Sequence, residues 1–241
     1  MGHPELSVVV PVHNEQDNLQ SLISEIESAL TGVCSFEIVY VDDLSRDSTL
    51  SRLNALKAQH PTLRVIAHQR QAGQSTAVLS GVKAAQAPWI ATLDGDGQND
   101  PADIPKLWAA LKHSTDDKLK MLAGWRADRR DDWVKRWSSN VANAVRSRIL
   151  GDATPDTGCG LKLFDRALFL QLPYFDHMHR FLPALVKRAG FNVVSVKVNH
   201  RARTQGISKY GIGNRLWVGL SDICGVAWLK SRTKLTDTIE L

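Results

Sequence analysis

Three oxygen-bearing side chains stand at alternate positions in TLDGDGQNDP: Asp94, Asp96 and Gln98, separated by Gly95 and Gly97. A turn at a strand end can aim two carboxylates and an amide so spaced at one point. Hard oxygen donors of this kind suit Mg2+ or Mn2+, which such sites usually share with substrate phosphates. The plainer reading is a turn whose aspartates bond nearby backbone amides. Two more polar clusters follow apolar runs in the same manner. His13, Asn14 and Glu15 come after LSVVVPV, and Asp42 and Asp43 close FEIVYVDD.

Later in the chain the chemistry changes sign. The formal net charge is +5, and the basic residues gather at 126–148 and 200–234, including Arg126, Arg136, Arg203, Lys209 and Arg215. Such a second half suits a polyanionic partner: phosphates on a small molecule, an anionic membrane surface, or nucleic acid. A nucleic-acid module is disfavoured, because stacking aromatics are not interleaved with these cations. Cys34, Cys159 and Cys224 are far apart and lack any CxxC or clustered histidine, so neither a disulfide framework nor a zinc site is expected.

The elements that must hold these residues can be read from periodicity. Apolar, β-branched runs predict strands at 6–12, 36–42, 63–67 and 88–94, and helical spacing predicts helices at 18–30, 48–60 and 74–85, with Ser45 as a helix cap. Strands this apolar are buried on both faces and alternate with helices, which predicts an α/β, Rossmann-like fold with a mostly parallel sheet and helices on both faces. Ligands of such sheets collect beyond the carboxyl ends of the strands, where all three acidic or amide clusters fall. Beyond them come a fifth strand at 120–125, a long basic helix at 132–150, LKLF, another helix, and a strand at 191–198. The 241 residues suit one domain over 1–214, its character shifting near 115 from a nucleotide-binding half (1–115) to an acceptor half (116–214). A C-terminal segment follows at 215–241.

Taken in order, VVVPVHNE, VYVDDLSRDST, AGQSTAVLSG and TLDGDGQNDP resemble the inverting GT-A glycosyltransferases of family 2. More narrowly, GWRADRRDDWVKRWSS, DTGCGLKLFDR and HRARTQGISKYG look like the polyprenyl-phosphate glycosyltransferases, which include dolichol-phosphate mannosyltransferase and bacterial enzymes that charge undecaprenyl phosphate with a sugar. The likeness covers roughly 6–215, and as an ordered set these motifs are specific. It implies a UDP- or GDP-linked sugar donor bordered by Pro11, His13, Asn14 and Glu15, with Asp43 and Asp42 toward the base or ribose. Asp94, Asp96 and Gln98 would line Mg2+ or Mn2+ and the diphosphate, the cation offsetting charge on the leaving nucleotide. Gly97 stands where the family usually has leucine, and Leu44 where it usually has glycine. Gly73, Ala77 and Gly81 read as a small face packed close to the sheet.

The acceptor implied is a polyprenyl phosphate, an anionic nucleophile that needs a general base less than a hydroxyl does. Arg126, Arg136 and Ser139 match positions on its phosphate, and a guanidinium can bond phosphate through two N–H groups. Arg203, Ser208 and Lys209 belong to an RxxGxSK segment over the diphosphate, and Asp156 resembles an acid near the reacting centre. A saccharide hydroxyl acceptor, or a donor-binding but inactive scaffold, would use the same donor half. No stretch approaches a membrane span and the N-terminus lacks signal-peptide regions, which predicts a cytoplasmic protein, peripheral on the inner membrane face. The segment at 215–235 reads either as an interfacial helix or as a terminal helix packed on the domain. A separate membrane-protein partner is a further expectation.

Overall fold

The structure is a computed structural model that describes residues 3–127, 146, 148–201, 213–234 and 236. Seven strands form one sheet in the order β3-β2-β1-β4-β6-β5-β7. They are β1 (Leu6–Val12), β2 (Phe36–Asp42), β3 (Leu63–Ala67), β4 (Trp89–Thr92), β5 (Leu119–Trp125), β6 (Lys162–Asp165) and β7 (Asn192–Lys197). The helices are α1 (Leu19–Leu30), α2 (Thr49–Leu56), α3 (Gln74–Ala84), α4 (Ile104–Lys112), α5 (Arg166–Gln171), α6 (Leu182–Arg188) and α7 (Gly213–Ser231).

β1 runs parallel to β2 and β4, and β2 parallel to β3. β6 lies between β4 and β5, antiparallel to both. The expected mostly parallel sheet is therefore interrupted by one reversed strand, and through it the second half of the chain reaches the end of β4. Two apolar clusters pack the two faces. One takes Leu22, Ile26, Leu53, Ile104 and Leu107 from α1, α2 and α4; the other takes Val78, Leu168, Leu185 and Val226 from α3, α5, α6 and α7. The central strands lie in both clusters, which is why their sequences carry no polar alternation.

Three local expectations are corrected. Helix α4, in PADIPKLWAALK, is absent from the expected elements, and the segment holds two prolines. They sit at first-turn positions, where the missing N–H costs nothing and the fixed φ favours the helix. Ser45 is not a cap. Its hydroxyl accepts the Asn14 N–H at 2.8 Å, while α2 begins after Ser48 and Asp47 accepts the Thr49 N–H at 2.9 Å. Of the small face, Gly81 does pack close, since a Cβ there would overlap Val9, and Ala77 is fully buried. Gly73 instead serves the backbone, with φ of 85° at the residue before α3.

Candidate active site

The carboxyl ends of β1, β2 and β4 bring the N-terminal clusters to one edge. His13 Nδ1 lies 2.8 Å from the Asp43 carbonyl, an atom that can only accept, so Nδ1 carries the proton and Nε2 accepts from the Asn14 and Gln71 amides at 3.2 and 3.4 Å. Asn14 holds φ at 54° and takes the Arg46 N–H on its side-chain oxygen at 2.6 Å. The Glu15 N–H donates to Thr49 Oγ1, and its carboxylate accepts from Asn18 at 2.9 Å. These bonds tie the loop after β1 to the loop after β2.

The two aspartates ending β2 differ. The Asp43 carboxylate accepts His68 Nδ1–H at 2.7 Å and the Ala72 and Gly73 N–H groups at 2.8 Å each. Burial pushes its carboxyl up, yet His68 and the two amides outweigh burial and hold it below the ordinary value. Both of its oxygens are thus committed to the segment that leads into α3. Asp42 is 1% exposed; one oxygen accepts the Ser45 N–H at 3.2 Å, and the other, Oδ1, is buried with no hydrogen-bond partner among the described residues. Of the pair, Asp42 keeps an unanswered acceptor.

Two residues beyond β4, Asp94 is partly buried. Its Oδ1 accepts the Gln74 amide at 2.8 Å, and its N–H donates to Asn99 Oδ1 at 3.0 Å. Gly160, just before β6, leans on the same carboxylate so closely that a Cβ there would overlap Asp94 and Asn99. Burial first, and the charge of Asp96 second, push the Asp94 carboxyl up, opposed by Lys162, Arg126 and the Gln74 amide. Asp96 accepts the Gln98 N–H at 3.2 Å. That is the local turn bond foreseen as the plainer reading, and it leaves the neighbouring carboxylates close enough to repel. Among the described residues no group of three His, Cys, Asp or Glu forms a metal cage. Mg2+ and Mn2+ do not require one, since they are commonly held by one or two carboxylates plus substrate phosphates. Two mutually repelling carboxylates with a neighbouring amide fit that donor set.

The turn carrying Asp96 and Gln98 is pinned from behind. The Arg201 N–H donates to the Gln98 carbonyl at 3.1 Å, its guanidinium holds Asp100 at 2.6 Å and also Glu25, and Asn99 and His200 form a β-bridge.

From the second half, Arg126 immediately follows β5 and forms a fork with Asp156: Nε to Oδ2 at 2.7 Å and Nη2 to Oδ1 at 2.9 Å. Burial works against the Arg126 charge, but Asp156 overrides it and the group stays above its ordinary value. Lys162, opposite Thr92 in the β4–β6 register, is 4% exposed and donates to the Cys159 carbonyl. His179 lies nearby with Nδ1 2.7 Å from Ser75 Oγ, held well below its usual value by burial and then by Lys162.

Pro11, His13, Asn14, Glu15, Asp42, Asp43, Asp94, Asp96 and Gln98 thus share the carboxyl edge of the sheet, and Arg126 and Asp156 join one another at the neighbouring strand end. Arg136 and Ser139, and with them Arg203, Ser208 and Lys209, lie outside the described residues. Sequence reasoning missed Gln74, Asn99, Gly160 and Lys162. The last had a signal: a lone lysine inside the apolar run GLKLF.

Comparison with known proteins identifies relatives in both sequence and fold. The family described as "Glycosyl transferase family 2" matches residues 7–172. A dodecaprenyl-phosphate galacturonate synthase of Rhizobium johnstonii is 37% identical over 215 residues, spanning 86% of this chain and 62% of its own. An undecaprenyl-phosphate 4-deoxy-4-formamido-L-arabinose transferase of Edwardsiella ictaluri is 33% identical over 210 residues, 86% of this chain and 63% of its own. The chain therefore spans somewhat less than two thirds of these relatives. Among solved structures, glucosyl-3-phosphoglycerate synthase of Mycobacterium tuberculosis with Mn2+, UDP and phosphoglyceric acid superposes with a TM-score of 0.69 at 17% identity, over 97% of this chain and 80% of that one. A mannosyltransferase of Pyrobaculum calidifontis with GDP-Man and Mn2+ gives 0.64 at 20%, over 98% and 67%. Fold and sequence agree: the chain belongs to glycosyl transferase family 2, with the GT-A architecture.

Proposed function

We propose that the protein transfers a glycosyl group from a UDP- or GDP-linked sugar to a polyprenyl phosphate, with inversion at the anomeric carbon. The observation that carries the reading is the meeting, through antiparallel β6, of the Asp94 and Asp96 turn with the cations Lys162 and Arg126 of the second half. Further support comes from the two polyprenyl-phosphate enzymes that share a third or more of their aligned residues with this chain.

In this reading a phosphate oxygen of the acceptor attacks the anomeric carbon, the bond from that carbon to the diphosphate oxygen breaks, and the nucleoside diphosphate leaves. Asp94, Asp96 and the Gln98 amide would hold Mg2+ or Mn2+, which supplies positive charge to the departing diphosphate. Pro11, His13, Asn14 and Glu15 border the nucleotide. Asp42, with its unanswered acceptor, reads a base N–H or ribose hydroxyl, while Asp43 shapes the wall beside it. Asp156 fixes the plane of Arg126 so that its remaining N–H groups face the incoming phosphate; Arg136, Ser139, Arg203, Ser208 and Lys209 complete the positive surround.

Residues 1–214 act as one catalytic domain, and the 215–241 segment lies along an anionic membrane surface at the inner face, beside a membrane-protein partner. Among the described residues no helix is long and apolar enough to cross a membrane.

The test is a donor screen. Purified protein is incubated with undecaprenyl phosphate, Mn2+ and a panel of UDP- and GDP-sugars, and the extracted lipid is weighed by mass spectrometry. One glycosyl-phospholipid is expected, and Asp96→Ala is expected to lower its rate at least about 100-fold without changing the far-UV spectrum. Product formed only on a free saccharide, or full turnover in the variant, would remove this reading.

A further inference from the structure

Beside Asp94 lies a partly open cavity of about 20 Å³ lined by Pro11, Gln74, Asp94, Gly160, Lys162 and His179, among others. Lys162 enters from β6, where a lysine between Leu161 and Leu163 is buried to 4% exposure. A buried amine is costly unless its hydrogens are taken up. Among the described residues the Lys162 head group has one hydrogen-bond acceptor, the Cys159 carbonyl, which leaves N–H groups in either protonation state. Burial lowers its proton affinity, with Cys159, Asp94 and Asp156 pulling the other way. Across the cavity, Gln74 takes one oxygen of Asp94, and Gly160 lies against the same carboxylate. The remaining walls are Thr92, whose hydroxyl is given to the Gly160 carbonyl at 2.7 Å, and the apolar Val78, Leu93 and Leu182.

The space accommodates one oxygen-sized group. That group faces an acceptor on the Asp94 side and a donor on the Lys162 side. A hydroxyl meets both, since it carries one hydrogen to give and lone pairs to receive. A second carboxylate would meet Asp94 as a like charge, and a methyl would leave the Lys162 N–H groups unanswered. Pro11 and Asp94 in the same wall join the cavity to the edge assigned above to the donor.

We propose that Lys162 is a specificity-determining residue that, together with Asp94, receives one hydroxyl of the donor's glycosyl ring in this cavity. The inference rests on the nucleotide-sugar reading and deepens it, because it assigns recognition of the sugar to a β6 residue separate from the groups that hold the diphosphate.

The experiment uses the full chain with Mn2+ and titration calorimetry. The probes are UDP and GDP, the donor found by the screen, and its monodeoxy analogues. The wild type is expected to bind the donor about 10- to 100-fold more tightly than the analogue lacking one particular hydroxyl. In Lys162→Met the preference disappears, while affinity for the nucleoside diphosphate stays within about twofold of wild type. Retention of the preference in the variant overturns the proposal, as does an equal loss of diphosphate and donor affinity; in that case the cavity holds a structural water only. If Lys162→Met does not fold, Lys162→Arg keeps a donor toward Cys159 and fills the cavity with its larger head, and it is expected to bind the diphosphate but reject the sugar. Donor binding at wild-type strength in that variant again overturns the assignment. A wild type that binds UDP or GDP but no nucleotide sugar defeats the transferase reading itself and this inference with it, an outcome visible before any variant is made.

Discussion

Leu44 holds φ at 57°, and 40% of it is exposed. A branched side chain in the left-handed region crowds its own carbonyl, and this one recovers little by burial. Leu44→Gly is therefore expected to raise stability by about 0.5–1 kcal/mol, after the larger loss of chain entropy at glycine, read as a higher urea midpoint with unchanged slope. At this scale the sequence was legible where a residue type carries its own chemistry. Asp94, Asp96 and Gln98 declare themselves by spacing. Lys162 and Gln74 do not, because their meaning comes from what stands opposite: Thr92 across the β4–β6 ladder, and Asp94 across the cleft. Nor could spacing separate Asp42 from Asp43. Only the fold shows one carboxylate bonded to His68, Ala72 and Gly73 and the other with an orphaned oxygen.

Elements were read correctly where hydrophobic period was unopposed. β1, β2 and β3 fall where 6–12, 36–42 and 63–67 placed them, whereas α4, with a proline in its first turn, was not among the expected elements. The reversed direction of β6 has no local signal, since a four-residue strand reads the same either way. What binds β1, β2 and β3 together is a buried carboxylate. Glu37 of β2 accepts Ser7 Oγ–H of β1 and the Gln86 N–H on Oε1, and the Arg64 guanidinium of β3 on Oε2, each at 2.6 Å. Burial pushes the Glu37 carboxyl up, but the Ser7, Gln86 and Arg64 bonds prevail and hold it below the ordinary value. Its folded value lies below its unfolded one, so the stabilisation is complete above the unfolded value and fades as pH falls through the folded one. Glu37→Gln is expected to cost about 2 kcal/mol at pH 7. The gap from wild type should close below roughly pH 4. Parallel unfolding curves at both pH values measure it.

For the molecule as a whole, the two alternatives for the C-terminal segment meet in one helix. α7 turns Val226 into the core, accepts the Arg188 Nε–H on its Leu229 carbonyl at 3.1 Å, and sends Lys230 to the Leu150 carbonyl. Its outer side presents Trp228, 59% exposed, with Arg232 and Lys234 following it in the chain. An apolar tip followed by cations suits an anionic lipid surface. Co-sedimentation with phosphatidylglycerol vesicles is expected to weaken roughly tenfold in Trp228→Ala with an unchanged thermal midpoint, and equal pelleting of both proteins would exclude this contact. The basic excess pointed to such a surface, while the side of the helix that faces outward had to come from the fold.

The placement of β6 also bears on how the chain is made. β4 is complete by residue 92, yet the strand that covers its free edge spans Lys162–Asp165. During synthesis the nascent N-terminal portion must carry a bare parallel edge, with Ala91 and Thr92 unpaired on that side, until some seventy further residues leave the ribosome. The stretch that shapes the sugar pocket is thus also the one that seals the sheet, so premature termination before it would yield a sticky fragment rather than a half-enzyme.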